Sequence, residues 1–300
     1  MEMGDRRMKV GVCMPYMEPE FTRERMLAWC RLVDDGPFSS ISCGERITGP
    51  TADMRALLAA AAAVTERVRI VPSLYVLPMH SAVWAAKEIA SLDVVSGGRV
   101  TLTVGVGGRK ADYQAVGASH ERRYQRLDEQ IAEMRRIWRG EAPFDGADPV
   151  GPVPVQAGGP PILTGSMGPK AIARASHWAD GIYAWSGNGQ KAEIARILEL
   201  ADESWRKAGR SEAPRRLAGF WCSLAPDGAE RLQEYVYQYI KILGEKLAVA
   251  MAKQMNRATP EAVRESLDAM EELGCEEVFL VPATAELSEV ERAAEIVAAR

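Results

Sequence analysis

Strand-like and helical runs alternate eight times along this chain, and few architectures accommodate that order. The strand-like runs lie at 8–14, 38–45, 68–78, 99–106, 161–166, 180–186, 215–225 and 276–283. Between them stand stretches of helical composition, such as ADMRALLAAAAAVTE (52–66) and GQKAEIARILELADESWRKAG (189–209). Parallel neighbours need a crossover of this length, usually a helix. Eight such units predict an α/β fold whose parallel sheet closes into a (β/α)8 TIM barrel. The competing architecture is an open doubly wound sheet, but its first turn would carry GxGxxG, whereas CMPYMEP (13–19) follows strand 1. Two excursions interrupt the count. A Gly- and Pro-rich stretch before strand 5 (140–161) reads as an irregular insertion or hairpin, and a long helical stretch (229–254) follows strand 7. The whole chain, 1–300, is expected to form one domain.

The fourth strand shows which face is inside. In RVTLTVGV (99–106), Val100, Leu102, Val104 and Val106 alternate with Arg99, Thr101, Thr103 and Gly105. The outer face of a barrel meets helices and is aliphatic, so the Thr/Gly set points inward. Thr103 and Gly105 then lie near the strand's C-terminal end, where barrels carry their sites. A hydroxyl and bare backbone there suit a flat ligand. A loop that only turns tightly would use Gly105, Gly107 and Gly108, with Arg109 behind them, equally well. The earlier pair, Gly97-Gly98, reads as a helix stop. Asp53, Ser119 and Thr259 are expected at helix starts, Thr259 with Pro260 as first helical residue.

Three further stretches carry candidate chemistry. In ILTGSMGPKAIARA (162–175) a strand ends at Gly165, Ser166-Met167-Gly168 turn, and Pro169 opens a helix. Amides there, with Lys170 close and Arg109 reaching over, would receive an anion; an ordinary glycine-rich turn would look the same. Glu45 follows strand 2 beside Arg46 and would serve proton transfer or substrate binding, or else one half of a surface ion pair. In VPSLYVLPMH (71–80), prolines bracket Ser73-Leu74, which marks an irregular strand. His80 is placed at a helix start, His120 in a first turn and His177 on a helix face; none is assigned catalysis.

Composition excludes several classes. A net charge of −4 gives no reason to expect nucleic acid, and no apolar run reaches membrane length. No apolar leader precedes strand 1, so a cytoplasmic protein is expected. The five cysteines (13, 30, 43, 222, 275) are scattered, form no CxxC and group with none of the three histidines, so reduced structural thiols and no metal are expected.

Taken together, FSSISCGERI (38–47), the block from AAAAAVTERVRI through GGRVTLTVGVGGRKADYQAVG (59–117), PILTGSMGPKAIARASHWADGI (161–182) and TPEAVRESLDAMEELGCEEVFLVP (259–282) resemble the bacterial luciferase-like family of flavin and deazaflavin oxidoreductases. The resemblance runs through most of the chain and is weakest at 141–160 and 186–255. It implies a (β/α)8 barrel binding coenzyme F420 or FMN at the strands' C-terminal ends. It implies that Ser73 and Leu74 form the strand-3 bulge, where relatives carry a non-proline cis peptide behind the ring. Thr103 and Gly105, with Gly107 and Arg109 beyond, match positions against the ring, which the backbone must let approach. Gly165, Ser166, Met167 and Gly168 match the cofactor phosphate site. Many F420-using relatives carry His after the strand-2 acid, whereas Arg46 follows Glu45 here, which leaves Glu45 and Arg46 as the catalytic candidates. The expectation is an F420-dependent oxidoreductase moving a hydride between the deazaflavin C5 and a small organic substrate, as a homodimer. The alternatives are an FMNH2-dependent monooxygenase and a non-catalytic binder of the same cofactors.

Overall fold

The computed structural model describes residues 7–300. Eight parallel strands close into a barrel in sequence order: β1 (Lys9–Cys13), β2 (Ser40–Cys43), β3 (Arg69–Tyr75), β4 (Leu102–Val104), β5 (Ile162–Thr164), β6 (Gly181–Trp185), β7 (Arg215–Cys222) and β8 (Glu277–Pro282). The helices α1 (Arg23–Asp35), α2 (Met54–Val64), α3 (Ala82–Val95), α4 (Lys110–Ala115), α5 (Arg123–Trp138), α6 (Pro169–Ala175), α7 (Lys191–Lys207), α8 (Gly228–Ile240), α9 (Glu245–Gln254), α10 (Pro260–Glu272) and α11 (Leu287–Ala298) connect and surround them. Among the described residues no helix is long and apolar enough to cross a membrane.

Two cores follow from strand parity. Val100, Leu102 and Val104 belong to the large core shared with the helices, as the alternation in strand 4 requires. The other parity fills the barrel itself, with Val71, Leu163, Tyr183, Leu217 and Phe279 packed at its waist. Gly11 leaves room for that filling, because a Cβ there would lie 2.6 Å from the Phe279 ring. The floor is polar. Arg69 Nε donates to Thr101 Oγ1 at 2.9 Å, and Glu277 accepts from the hydroxyls of Ser39 and Ser40. Side chains therefore close the lower barrel, and ligands are left the upper rim.

Local signals set several helix ends. Asp53 accepts from Ala56 N at 3.0 Å and Thr259 from Ala262 N at 3.2 Å. Gly97 and Gly98 end α3 with φ of 67° and 83°. Arg99 then turns its guanidinium onto the carbonyls of Ala62, Thr65, Val68 and Ser96 and the hydroxyl of Thr65, tying the ends of α2 and α3 together.

Several expectations need correction. Ser119 caps a turn, accepting from Glu121 N at 3.1 Å, while α5 begins at Arg123 behind Arg122, which has φ of 50°. His120 accordingly precedes α5, and His177 lies past the end of α6. The stretch after strand 4 contains an extra helix, α4. The helical run at 229–254 is broken by a 3-10 turn (Lys241–Leu243) and by Gly244 at φ 121°. Of the two readings of the 140–161 stretch the irregular one holds: it is an excursion without strands, held where Gln156 donates to the Asp93 carboxylate and to Val100 O.

Candidate active site

The rim is built from the inside of β3 outward. The Ser73–Leu74 peptide is cis, and the β3–β4 register shifts between Ser73 and Tyr75. That shift lays the Leu74 side chain across the ends of two neighbouring strands. A Cβ on Gly105 would lie 2.8 Å from Leu74 Cδ1, and one on Gly165 would overlap both Leu74 methyls. Gly107 has φ of 58°, and its Cβ would meet Val76 at 2.9 Å. The glycines after strand 4 were expected to admit a ligand to the backbone. The structure gives Gly105 and Gly165 a nearer reason: they make room for Leu74, which is itself partly exposed at the rim. Gly108 and Gly168 have no atom in the way of a side chain.

Two strand hydroxyls stand out, one on β2 and one on β4, where Thr103 is in register with Ser73. Thr103 and Ser42 are fully buried, and neither side-chain oxygen has a hydrogen-bond partner among the described residues. Buried polar groups are nearly always partnered, so an orphan just below a site calls for a bound group or a water.

Glu45 sits at the rim beside the segment that follows β3. Its side chain is only 3% exposed. Oε1 lies 2.7 Å from His80 Nε2, and Oε2 accepts from Val76 N at 2.6 Å. The carboxylate thus pins the segment that follows the Leu74 bulge. The His80 ring lies 4.6 Å from that of Tyr75, whose hydroxyl donates to Glu88 at 2.5 Å. His80 was passed over in the sequence. The one clue was its position between a proline-bracketed strand and the helix-capping Ser81.

The remaining candidates separate into two groups. Gly165 and Ser166 are partly exposed and Met167 and Gly168 exposed, on an open loop with Lys170 beside it. Ser166 turns inward: its hydroxyl lies 2.8 Å from Thr164 Oγ1, and its amide donates to the same oxygen at 3.3 Å. Arg109 reaches α8, not this loop. Its Nη2 donates to Tyr239 O at 2.6 Å, with the guanidinium 5.2 Å from the Tyr239 ring centroid. Burial, and then the neighbouring Arg46 guanidinium, lower the Arg109 pKa. Tyr239 leans on Trp221 at 5.1 Å, and Trp221 on Trp185 at 5.0 Å, so an aromatic wall runs from β6 over β7 to α8. Burial raises the pKa values of Tyr16, Tyr235 and Tyr239 here, keeping these phenols neutral.

The family model for luciferase-like monooxygenases matches residues 8–287, nearly the full barrel. The chain belongs to that family. An uncharacterized protein of Mycobacterium tuberculosis is 34% identical over 179 residues, covering 56% of this chain and 61% of that protein. An FMNH2-dependent dimethylsulfone monooxygenase of Pseudomonas fluorescens is 27% identical over 215 residues, covering 66% of this chain and 56% of the enzyme. The chain therefore spans about six tenths of the length of the curated relatives it matches. The coenzyme F420-dependent tetrahydromethanopterin reductase of Methanopyrus kandleri shares the fold at a TM-score of 0.76 and 16% identity, with 98% of this chain and 99% of that one covered. Within this luciferase-like frame, the residues that sequence reading missed are His80 and the wall of Trp185 and Trp221. The contacts that mark them, Glu45 for His80 and Trp221 with Tyr239 for the wall, come from separate elements, so local pattern says little about them.

Proposed function

We propose that this chain is an oxidoreductase that uses coenzyme F420 to move a hydride to or from a small organic substrate. One observation carries the reading. In a barrel of this family, Leu74 lies across Gly105 and Gly165, with the orphaned Thr103 hydroxyl buried on the neighbouring strand, in register with Ser73. A planar group with polar edges fits such a place, since the leucine offers it a smooth apolar seat and the hydroxyl gains a partner. When bound, the deazaflavin supplies hydride transfer at its C5.

The residues of the chain orient and shield. Leu74 backs the ring, and Thr103 hydrogen-bonds a polar edge atom. Glu45 holds His80 and the Val76 amide, which keeps the bulge behind the ring in place; it acts as a positioning residue. The open 165–168 loop, with Lys170, holds the anionic tail. The Trp185–Trp221–Tyr239 wall keeps water from the substrate side. F420 is favoured over FMN because the 89–117 block resembles the deazaflavin branch. The likeness to an FMNH2-dependent dimethylsulfone monooxygenase supports the second reading, an FMNH2-dependent monooxygenase.

Absorbance and fluorescence titration of the purified protein with F420 and with FMN tests the choice. Saturable F420 binding, lost in Leu74→Asp, is expected. Tight binding of FMN alone, with rapid air oxidation of the reduced complex, would overturn F420. Binding of neither would remove the cofactor reading altogether.

A further inference from the structure

Two guanidiniums stand at this rim without an anion. Arg46 extends from the loop after β2 and Arg109 from the loop after β4, and both are partly buried. Among the described residues Arg46 donates only from Nε, to Thr48 O at 2.6 Å, and Arg109 only from Nη2, to Tyr239 O at 2.6 Å. The neighbouring carboxylate, Asp112, is committed elsewhere: it accepts from Ile47 N at 3.4 Å, from Thr48 N at 3.0 Å and from the Thr48 hydroxyl. Arg99 offers the contrast, because its guanidinium is saturated by five acceptors and plainly structural. The loop that carries Arg46 is fastened to Asp112, three residues after Arg109, and the Arg46 charge, after burial, lowers the Arg109 pKa; an incoming anion would relieve that repulsion. The planar fork of Arg suits a carboxylate bidentately.

The surface beside these cations is aromatic. Tyr239 lies under Arg109, and Trp185 ends the wall at β6; both are partly exposed, while Trp221 between them is buried. Partly exposed rings on a wall that also carries a guanidinium match a ring that bears a negative group.

We propose that the substrate is a planar, ring-bearing carboxylate, with its ring against Trp185 and Tyr239 and its carboxylate between Arg46 and Arg109. This names the substrate class for the function proposed above and rests on it. The same two cations could receive the anionic tail of the cofactor, so the test separates the two sources. Calorimetric titration compares 2-naphthoate with its neutral isostere 2-naphthamide, on the protein alone and on the protein saturated with F420, and the F420 affinity is measured in parallel. Naphthoate is expected to bind at least tenfold tighter than naphthamide. Arg46→Met and Arg109→Met should each lower naphthoate affinity about tenfold or more, leaving naphthamide and F420 within twofold. Naphthamide binding as tightly as naphthoate would overturn the proposal, as would no naphthoate binding in either state. Loss of F420 affinity in the Met variants with naphthoate unchanged would reassign the arginines to the cofactor tail. The wild-type ratio decides even if a Met variant fails to fold. Naphthoate binding without F420 or FMN binding would remove the cofactor reading while leaving the carboxylate site standing; F420 binding with naphthoate ignored removes the carboxylate site alone.

Discussion

Gly165→Ala tests whether the rim glycines serve the protein's own leucine. The new Cβ would lie 2.8 Å from Leu74 Cδ1 and 3.0 Å from Cγ, and closer still to Cδ2. Carbon atoms pack at about 3.5–4.0 Å, so the nearest Leu74 methyl must retreat by roughly 1–2 Å. Because Cγ is involved as well as the methyls, a small twist about the last torsion does not suffice and the rotamer must change. Overpacking of this kind costs about 1–3 kcal/mol, or roughly 2–4 °C of Tm for each kcal/mol in a chain of a few hundred residues. Leu74→Ala removes the three atoms nearest the new Cβ. Gly165→Ala should therefore cost less than about 0.5 kcal/mol in the Leu74→Ala background, a coupling of about 1 kcal/mol or more between neighbours. Urea denaturation of wild type, both single variants and the double variant measures it, with F420 titration alongside. Equal destabilisation in both backgrounds would refute the packing account. Unchanged stability with weakened cofactor binding would return these glycines to the role first read from the sequence.

Glu45→Gln keeps an acceptor for the Val76 amide but loses the charge facing His80, and should lower stability by about 1–3 kcal/mol in urea denaturation; an unchanged midpoint would mean that the pair fastens nothing. Arg99→Lys replaces a fork that reaches several carbonyls with a single ammonium and should cost about 2–4 kcal/mol, read as a fall in thermal midpoint, since buried acceptors are left unpaired. The thiols set an alkaline limit. Burial raises Cys13 to about 11 and Cys30 and Cys275 to about 12, from an ordinary value of 9.0. Above pH 9 the unfolded chain loses these protons while the folded chain keeps them, so the folded state binds more protons and stability falls as pH rises towards 11. Each thiol contributes about 1.4 kcal/mol per pH unit in that window. Urea midpoints at pH 8, 9 and 10 should show the decline above 9 and a shallower one in Cys13→Ser.

The barrel was readable because its signals are local and repeated. The alternation in strand 4 assigned Thr103 and Gly105 to the inside, and Asp53, Thr259 and the Gly97-Gly98 pair marked helix ends through bonds reaching only a few residues. Ser119 misled because a serine before a polar helix caps a turn as readily as a helix. The role of Glu45 was not readable. Its partners, Val76 and His80, lie more than thirty residues away, and an acid beside an arginine looks the same whether it faces substrate or a neighbouring loop.

Strand and helix periodicity by itself determined a closed parallel barrel and which residues of strand 4 face its inside, because side-chain parity and crossover length act within single units. Only the tertiary structure decided what the rim residues do. Leu74 occupies the space that Gly105 and Gly165 leave, Glu45 fastens the strand-3 loop, and Arg109 lies over Tyr239 in the aromatic wall. Those relations join strands far apart in the chain, and they arise only when closing the barrel brings the strand ends within contact distance.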